Sequence, residues 1–189
     1  MKIVRTSIFS LLAFTLSVFL VKAQNPNPDE LREIYKSCCG ADAVEFELDE
    51  AYVFLPNVFV PLGDSLNSTF RPFINGEVAE IVDFTILNAA GDSIIFYRPT
   101  FNYEEMPVYS WNGLREDGTP YQGLFRYGMR LISRKGALRI VEGSACRIVC
   151  TPNITSAFTG KDACFFPVQF DDRQKRLDRA KPNLFKDCN

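Results

Sequence analysis

The chain of 189 residues carries 23 aspartates and glutamates, six cysteines and no histidine. Without an imidazole, Ser-His-Asp and Cys-His nucleophilic machinery, histidine-zinc hydrolysis and histidine general-base catalysis are all excluded. Adjacent carboxylates occur at Glu104-Glu105 and Asp171-Asp172. Neighbours in sequence do not set the face-to-face spacing that glycoside hydrolysis needs, so both pairs read as solvated loop charges. The cysteines have no histidine to activate a thiolate and read as bridges rather than nucleophiles. A zinc site lacks support too, since no CxxC pair is present. Hard oxygen ligands leave one weak calcium candidate, Asp64 with Asn67, set against a plain Asx-turn at Asp64. These residues predict a non-enzyme without a cofactor.

Cys38, Cys39, Cys146, Cys150, Cys164 and Cys188 form an even set, and all six are disulfide candidates. A bridge between the vicinal Cys38 and Cys39 is strained. On an extended strand Cys146 and Cys150 stand about 13 Å apart, beyond the ~7 Å reach of a disulfide. At least one bridge is therefore expected to join Cys38 or Cys39 to the C-terminal third. The compartment agrees: residues 1–23 hold Lys2 and Arg5, an apolar run over 7–21 and the exit Val21-Lys22-Ala23, the pattern of a secretory signal peptide. Gln24 stands where a lipoprotein needs cysteine, and no later run is long and apolar enough to span a bilayer. The expected location is periplasm, cell surface or extracellular space. With 21 lysines and arginines against 23 acids the net charge is −2, so no basic field argues for nucleic acid.

The elements that must carry these residues are mostly strands. Residues 24–43 form a lead, with a short helix predicted over ELREIYKSCC and Leu31, Ile34 and Tyr35 on one face as a packing lid. Val44, Phe46 and Leu48 alternate with acids, the pattern of a half-buried strand. Residues 56–72, PNVFVPLGDSLNSTFRP, read as a strand running into an ordered loop anchored by Phe59 and Phe70. Residues 81–87 and 93–98 predict a hairpin, with Val82, Phe84 and Ile86 facing one way and Asp83 and Thr85 the other. Over 124–132, Phe125, Tyr127, Met129 and Leu131 face inward against Arg126, Gly128 and Arg130, and 137–149 returns alongside. Seven or eight such strands predict an all-β antiparallel sandwich over 44–150, followed by an irregular, charged, disulfide-stapled tail over 151–189. Phe59, Phe70, Phe84, Ile86, Trp111, Phe125 and Tyr127 are the predicted core.

Residues 56–72 resemble the opening motif of the gliding-motility-associated C-terminal domain, the type B sorting domain of the Bacteroidetes type IX secretion system. Matches fall at Pro56, Asn57, Phe59, Pro61, Gly63, Asp64, Asn67, Phe70 and Pro72. Val60, Leu62, Ser65 and Ser68 depart from it, and Ala89-Ala90 replaces an Arg-Trp pair of the family's hairpin turn. Trp111-Asn112-Gly113, Asp117-Gly118 and Gly123, with Phe125 and Tyr127, resemble the later motifs, so the likeness runs over about 51–149. It implies an immunoglobulin-like sandwich and a place in gliding or type IX secretion. Asp64-Ser65-Leu66 and Asp92-Ser93-Ile94 are similar to the O-glycosylation acceptor of exported Bacteroidetes proteins, which marks Ser65 and Ser93.

The family's domain normally ends a chain behind a large cargo, whereas here a tail follows and no large domain precedes. The expectation is therefore a stand-alone cell-envelope docking or structural module whose partner is an envelope or secretion-machinery protein. The alternative is a carbohydrate- or other ligand-binding module that uses Trp111, Tyr103, Tyr109 and Tyr121 as stacking platforms, Trp111 being core in the plainer reading.

Overall fold

The computed structural model describes residues 27–40, 42–61, 66–149 and 163–181. The expected signal peptide over 1–23, Asp64, Ser65, Cys150 and Cys188 lie outside them. Two sheets face each other across one core. The smaller is ordered β1-β2-β4, from β1 (Val44–Leu48), β2 (Ala51–Leu55) and β4 (Phe73–Ile74). The larger is ordered β3-β8-β7-β5-β6, from β3 (Val58–Phe59), β5 (Val78–Asn88), β6 (Ile94–Phe101), β7 (Gly123–Ser133) and β8 (Leu138–Arg147). This is an all-β sandwich, and its β8-β7-β5-β6 run follows the G-F-C-C′ order of an immunoglobulin-like sheet. The smaller sheet is built entirely from chain that precedes β5.

One pairing departs from the antiparallel expectation. β3 runs parallel to β8, with Val58 opposite Cys146 and Phe59 opposite Arg147. The chain leaves β2 at Pro56, changes sheets and enters the larger one at its edge, alongside β8 and in the same direction.

The uninterrupted alternation of β7 sorts its side chains as expected, with Phe125, Tyr127, Met129 and Leu131 buried and Arg126 and Arg130 exposed. All seven predicted core residues are at most 2 % exposed. Phe59, Phe70, Trp111 and Phe125 form one ring cluster, with centroids 4.8 Å apart for Phe70 and Phe125 and 4.9 Å for Trp111 and Phe125. Phe70 and Trp111 also exchange backbone hydrogen bonds of 2.8 and 3.0 Å, which ties the 56–72 stretch to the Trp111 turn. Gly113 completes that turn at φ 81°, where the Arg147 side chain leaves no room for a Cβ.

In β5 the expected period slips. A bulge between Val82 and Thr85, with Asp83 at φ 55°, turns Val82 and Asp83 to the outer face together. Ile81 therefore joins Phe84 and Ile86 in the core, and Val82, expected there, pairs instead with the outward Arg130.

The described stretches of the lead and the tail are packed parts of the fold. Helix α1 (Pro28–Tyr35) is capped by Asn27, whose side chain accepts from the Asp29 N–H. It lays Leu31, Ile34 and Tyr35 over Val58, Cys146 and Ile148 at one end of the larger sheet. The tail ribbon, β9 (Phe170–Asp171) paired with β10 (Arg176–Leu177), covers the outer side of β2 through Phe170 and Leu177 against Tyr52, Phe54 and Phe73. Ala51, Val53 and Leu55 of the same strand face the main core, so β2 is buried on both sides. Among the described residues two bridges clamp the ends, Cys38–Cys146 and Cys39–Cys164, across separations of 108 and 125 residues. Such bridges persist in oxidising compartments. Among the described residues, no helix is long and apolar enough to cross a membrane.

Candidate functional site

Among the described residues, the outer face of the larger sheet is covered at one end by α1 and by nothing over the rest. Residues paired across strands share a face, so the register places Leu138 beside Ile132, Ile140 beside Arg130, Glu142 beside Gly128 and Ser144 beside Arg126. β5 and β6 continue these rows with Thr85 beside Tyr97 and Leu87 beside Ile94. Four of these side chains are large, apolar and exposed: Ile140 at 65 %, Ile94 at 62 %, Leu138 at 57 % and Tyr97 at 44 %.

A polar hub sits between the two apolar edges. The Tyr97 hydroxyl donates to Asp83 Oδ1 at 2.8 Å, and Arg130 forms an ion pair with Asp83 Oδ2. These two bonds hold the Asp83 carboxyl below the usual carboxylate range, Tyr97 being the larger cause, and the same bond pushes the Tyr97 phenol up. The hub depends on the bulge, which turns Asp83 outward between its two partners. Beside it Gly128 floors a trough, because a residue without a side chain lies between Thr85 and Glu142, and Arg126 and Ser144 close one end. The bulge and the hub are invisible to period counting. Arg126 and Arg130, spaced four apart on the wet face of β7, were the readable signal.

A second concavity, of about 180 Å³, lies where the loop before β4, the start of α2 (Met106–Tyr109) and the tail ribbon converge. Arg71 reaches into it with its guanidinium 4.8 Å from the centroid of the Phe73 ring.

The sequence-expected sites fall elsewhere. Trp111 is 1 % and Tyr121 6 % exposed, so neither is a stacking platform. Trp111 Nε1 instead donates to the Leu114 carbonyl, and the Tyr121 hydroxyl donates to the Leu124 carbonyl. Tyr109 is half-buried against Phe101, and Tyr103 lines the second concavity. Of the calcium pair, Asp64 lies outside the described residues. Asn67 is buried, its side-chain oxygen accepting from the Val168 N–H and its carbonyl from Val60, so its oxygens fasten the tail and the 56–72 stretch. Among the described residues no three His, Cys, Asp or Glu groups cluster as metal ligands do. Ser93 is exposed at the end of the β5-β6 turn, where its carbonyl accepts from Asn88. Ser65, the other glycan candidate, lies outside the described residues. No protein-family model matches the chain, and no curated protein matches it in sequence.

Proposed function

We propose that the protein is a non-catalytic, exported docking module of the cell envelope, related to gliding or type IX secretion. Its open sheet face binds an envelope or secretion-machinery protein. One observation carries the reading: exposed Leu138, Ile140 and Ile94 border the Asp83-Tyr97-Arg130 hub on a face that α1 leaves uncovered. An apolar rim around a tyrosine and an arginine is the composition of a binding hot spot. The bridged core supports it as well, because a sandwich clamped at both ends presents this face in one shape. The 56–72 resemblance is the ground for the gliding and secretion assignment.

Photo-crosslinking in envelope fractions tests the proposal. A crosslinker placed at Ile140 or Ile94 is expected to capture the same single partner, one at Glu104 is not, and Leu138→Asp with Ile140→Asp abolishes capture. Equal capture at all three positions, or none at any, refutes the assignment of this face.

A further inference from the structure

The concavity at Arg71 lies beside β4 of the smaller sheet, so its use is independent of the docking face. Arg71 is half-buried, and among the described residues its guanidinium makes neither an ion pair nor a hydrogen bond. The Phe73 ring lies beneath it, and Asp172 across the same concavity is a counter-charge close enough to act on it without a hydrogen bond. An arginine that gives up hydration and gains only a counter-charge beyond hydrogen-bond reach, Asp172, keeps its hydrogen-bond donors open, and its planar fork matches a carboxylate in two parallel hydrogen bonds. Met106, Pro107, Ile74 and Phe170 form an apolar wall. Glu104 and Asp172 stand at the rim, both exposed, with Asp172 held only loosely by Lys175 at 3.7 Å. A simple anion entering toward Arg71 meets two rim carboxylates, whereas a cation is repelled by Arg71. A zwitterion satisfies both ends.

We propose that this cleft binds a free α-amino acid of leucine size. The carboxylate sits on Arg71, the ammonium faces Asp172 and Glu104, and the apolar side chain lies against Met106 and Phe170. The concavity, of about 180 Å³ and open on one side, admits such a molecule.

The probes are L-leucine, 4-methylpentanoate, which lacks the amino group, and 3-methylbutylamine, which lacks the carboxylate. Backbone amide shifts of the whole oxidised protein are the readout. Leucine is expected to move the resonances of Phe73, Glu104 and Asp172, and each truncated probe to bind about tenfold or more weakly, the worth of one charged hydrogen bond. Arg71→Met should abolish the leucine response while leaving distant resonances in place. Asp172→Asn should weaken leucine but strengthen 4-methylpentanoate, and this opposite pair of shifts decides the matter even where Arg71→Met fails to fold. No response to leucine, or a response unchanged in both variants, overturns the proposal. Capture at Ile140 is unaffected by either result.

Discussion

The carboxamide of Asn57 grips the tail on both sides of Cys164, accepting from the Phe165 N–H and donating to the Ala163 carbonyl, each at 2.7 Å. Asn57 is fully buried at the sheet edge, and its own carbonyl accepts from Cys146 N–H, the residue bridged to Cys38. One residue thus holds the ends of two disulfides in register, Cys164 through its side chain and Cys146 through its backbone. Asn57→Ala takes the partner from the half-buried Phe165 N–H and from the Ala163 carbonyl, and we expect it to lower stability by about 1 to 3 kcal/mol. Denaturant titration of the oxidised protein checks this; an unchanged midpoint would show that the bridges alone hold the tail.

The bridges themselves should be non-additive. Cys38 and Cys39 are adjacent, so with Cys38–Cys146 closed, Cys39–Cys164 adds only a ring of roughly 20 residues, worth about 3 kcal/mol in the chain-entropy model. Either bridge alone closes more than a hundred residues, worth about 4 to 5 kcal/mol. Removing one bridge by paired serine substitution should therefore cost about 3 kcal/mol, and removing both about 8, more than the single losses together. Strictly additive losses would mean that the reduced chain already keeps the two ends together.

How much of this was readable follows from where the deciding contacts lie. β7 was legible because its burial is set by strict alternation, and α1 because Leu31, Ile34 and Tyr35 recur at helical spacing. β5 was misread at Val82, since the bulge is held by Arg130 and Tyr97 on neighbouring strands and leaves no mark in the local period. The run AYVFL carries no alternation because its second face waits for Phe170 and Leu177, more than a hundred residues on. Exposed Leu138 and Ile140 read as ordinary strand residues until the register shows that nothing among the described residues covers them.

Tyr127 and Gly143 form a tight pair in the core. They face each other across β7 and β8, and a Cβ on Gly143 would overlap the Tyr127 hydroxyl. That hydroxyl is buried, and no described residue hydrogen-bonds it. Burial accordingly pushes the phenol above the ordinary tyrosine value. Gly143→Ala should cost about 1 to 3 kcal/mol through overpacking. Tyr127→Phe removes an unpaired polar atom, so it should be neutral or stabilising, and the double variant should recover part of the alanine loss. A marked loss in Tyr127→Phe alone would reveal a partner for the hydroxyl.

Tyr52 is the group that should loosen the tail in alkali. Its hydroxyl donates to Glu45 Oε1 at 2.6 Å and accepts from the Leu177 N–H at 2.9 Å, joining β1 and β2 to β10. Burial first, then the hydrogen bond to Glu45, push its pKa from 10.0 up to about 12. The fold therefore favours the protonated phenol, and the stabilisation is complete below the unfolded value near 10 and lost as pH rises through the folded value. Tyr52→Phe deprives the buried Leu177 N–H of its acceptor, which should cost about 1 to 3 kcal/mol at neutral pH. The gap between the two proteins should stay constant up to pH 10 and narrow above it, and tyrosinate absorbance should show one late-ionising group missing from the variant. Equal stabilities at neutral pH, or a gap that widens in alkali, would show that the tail ribbon is held by Phe170 and Leu177 packing alone.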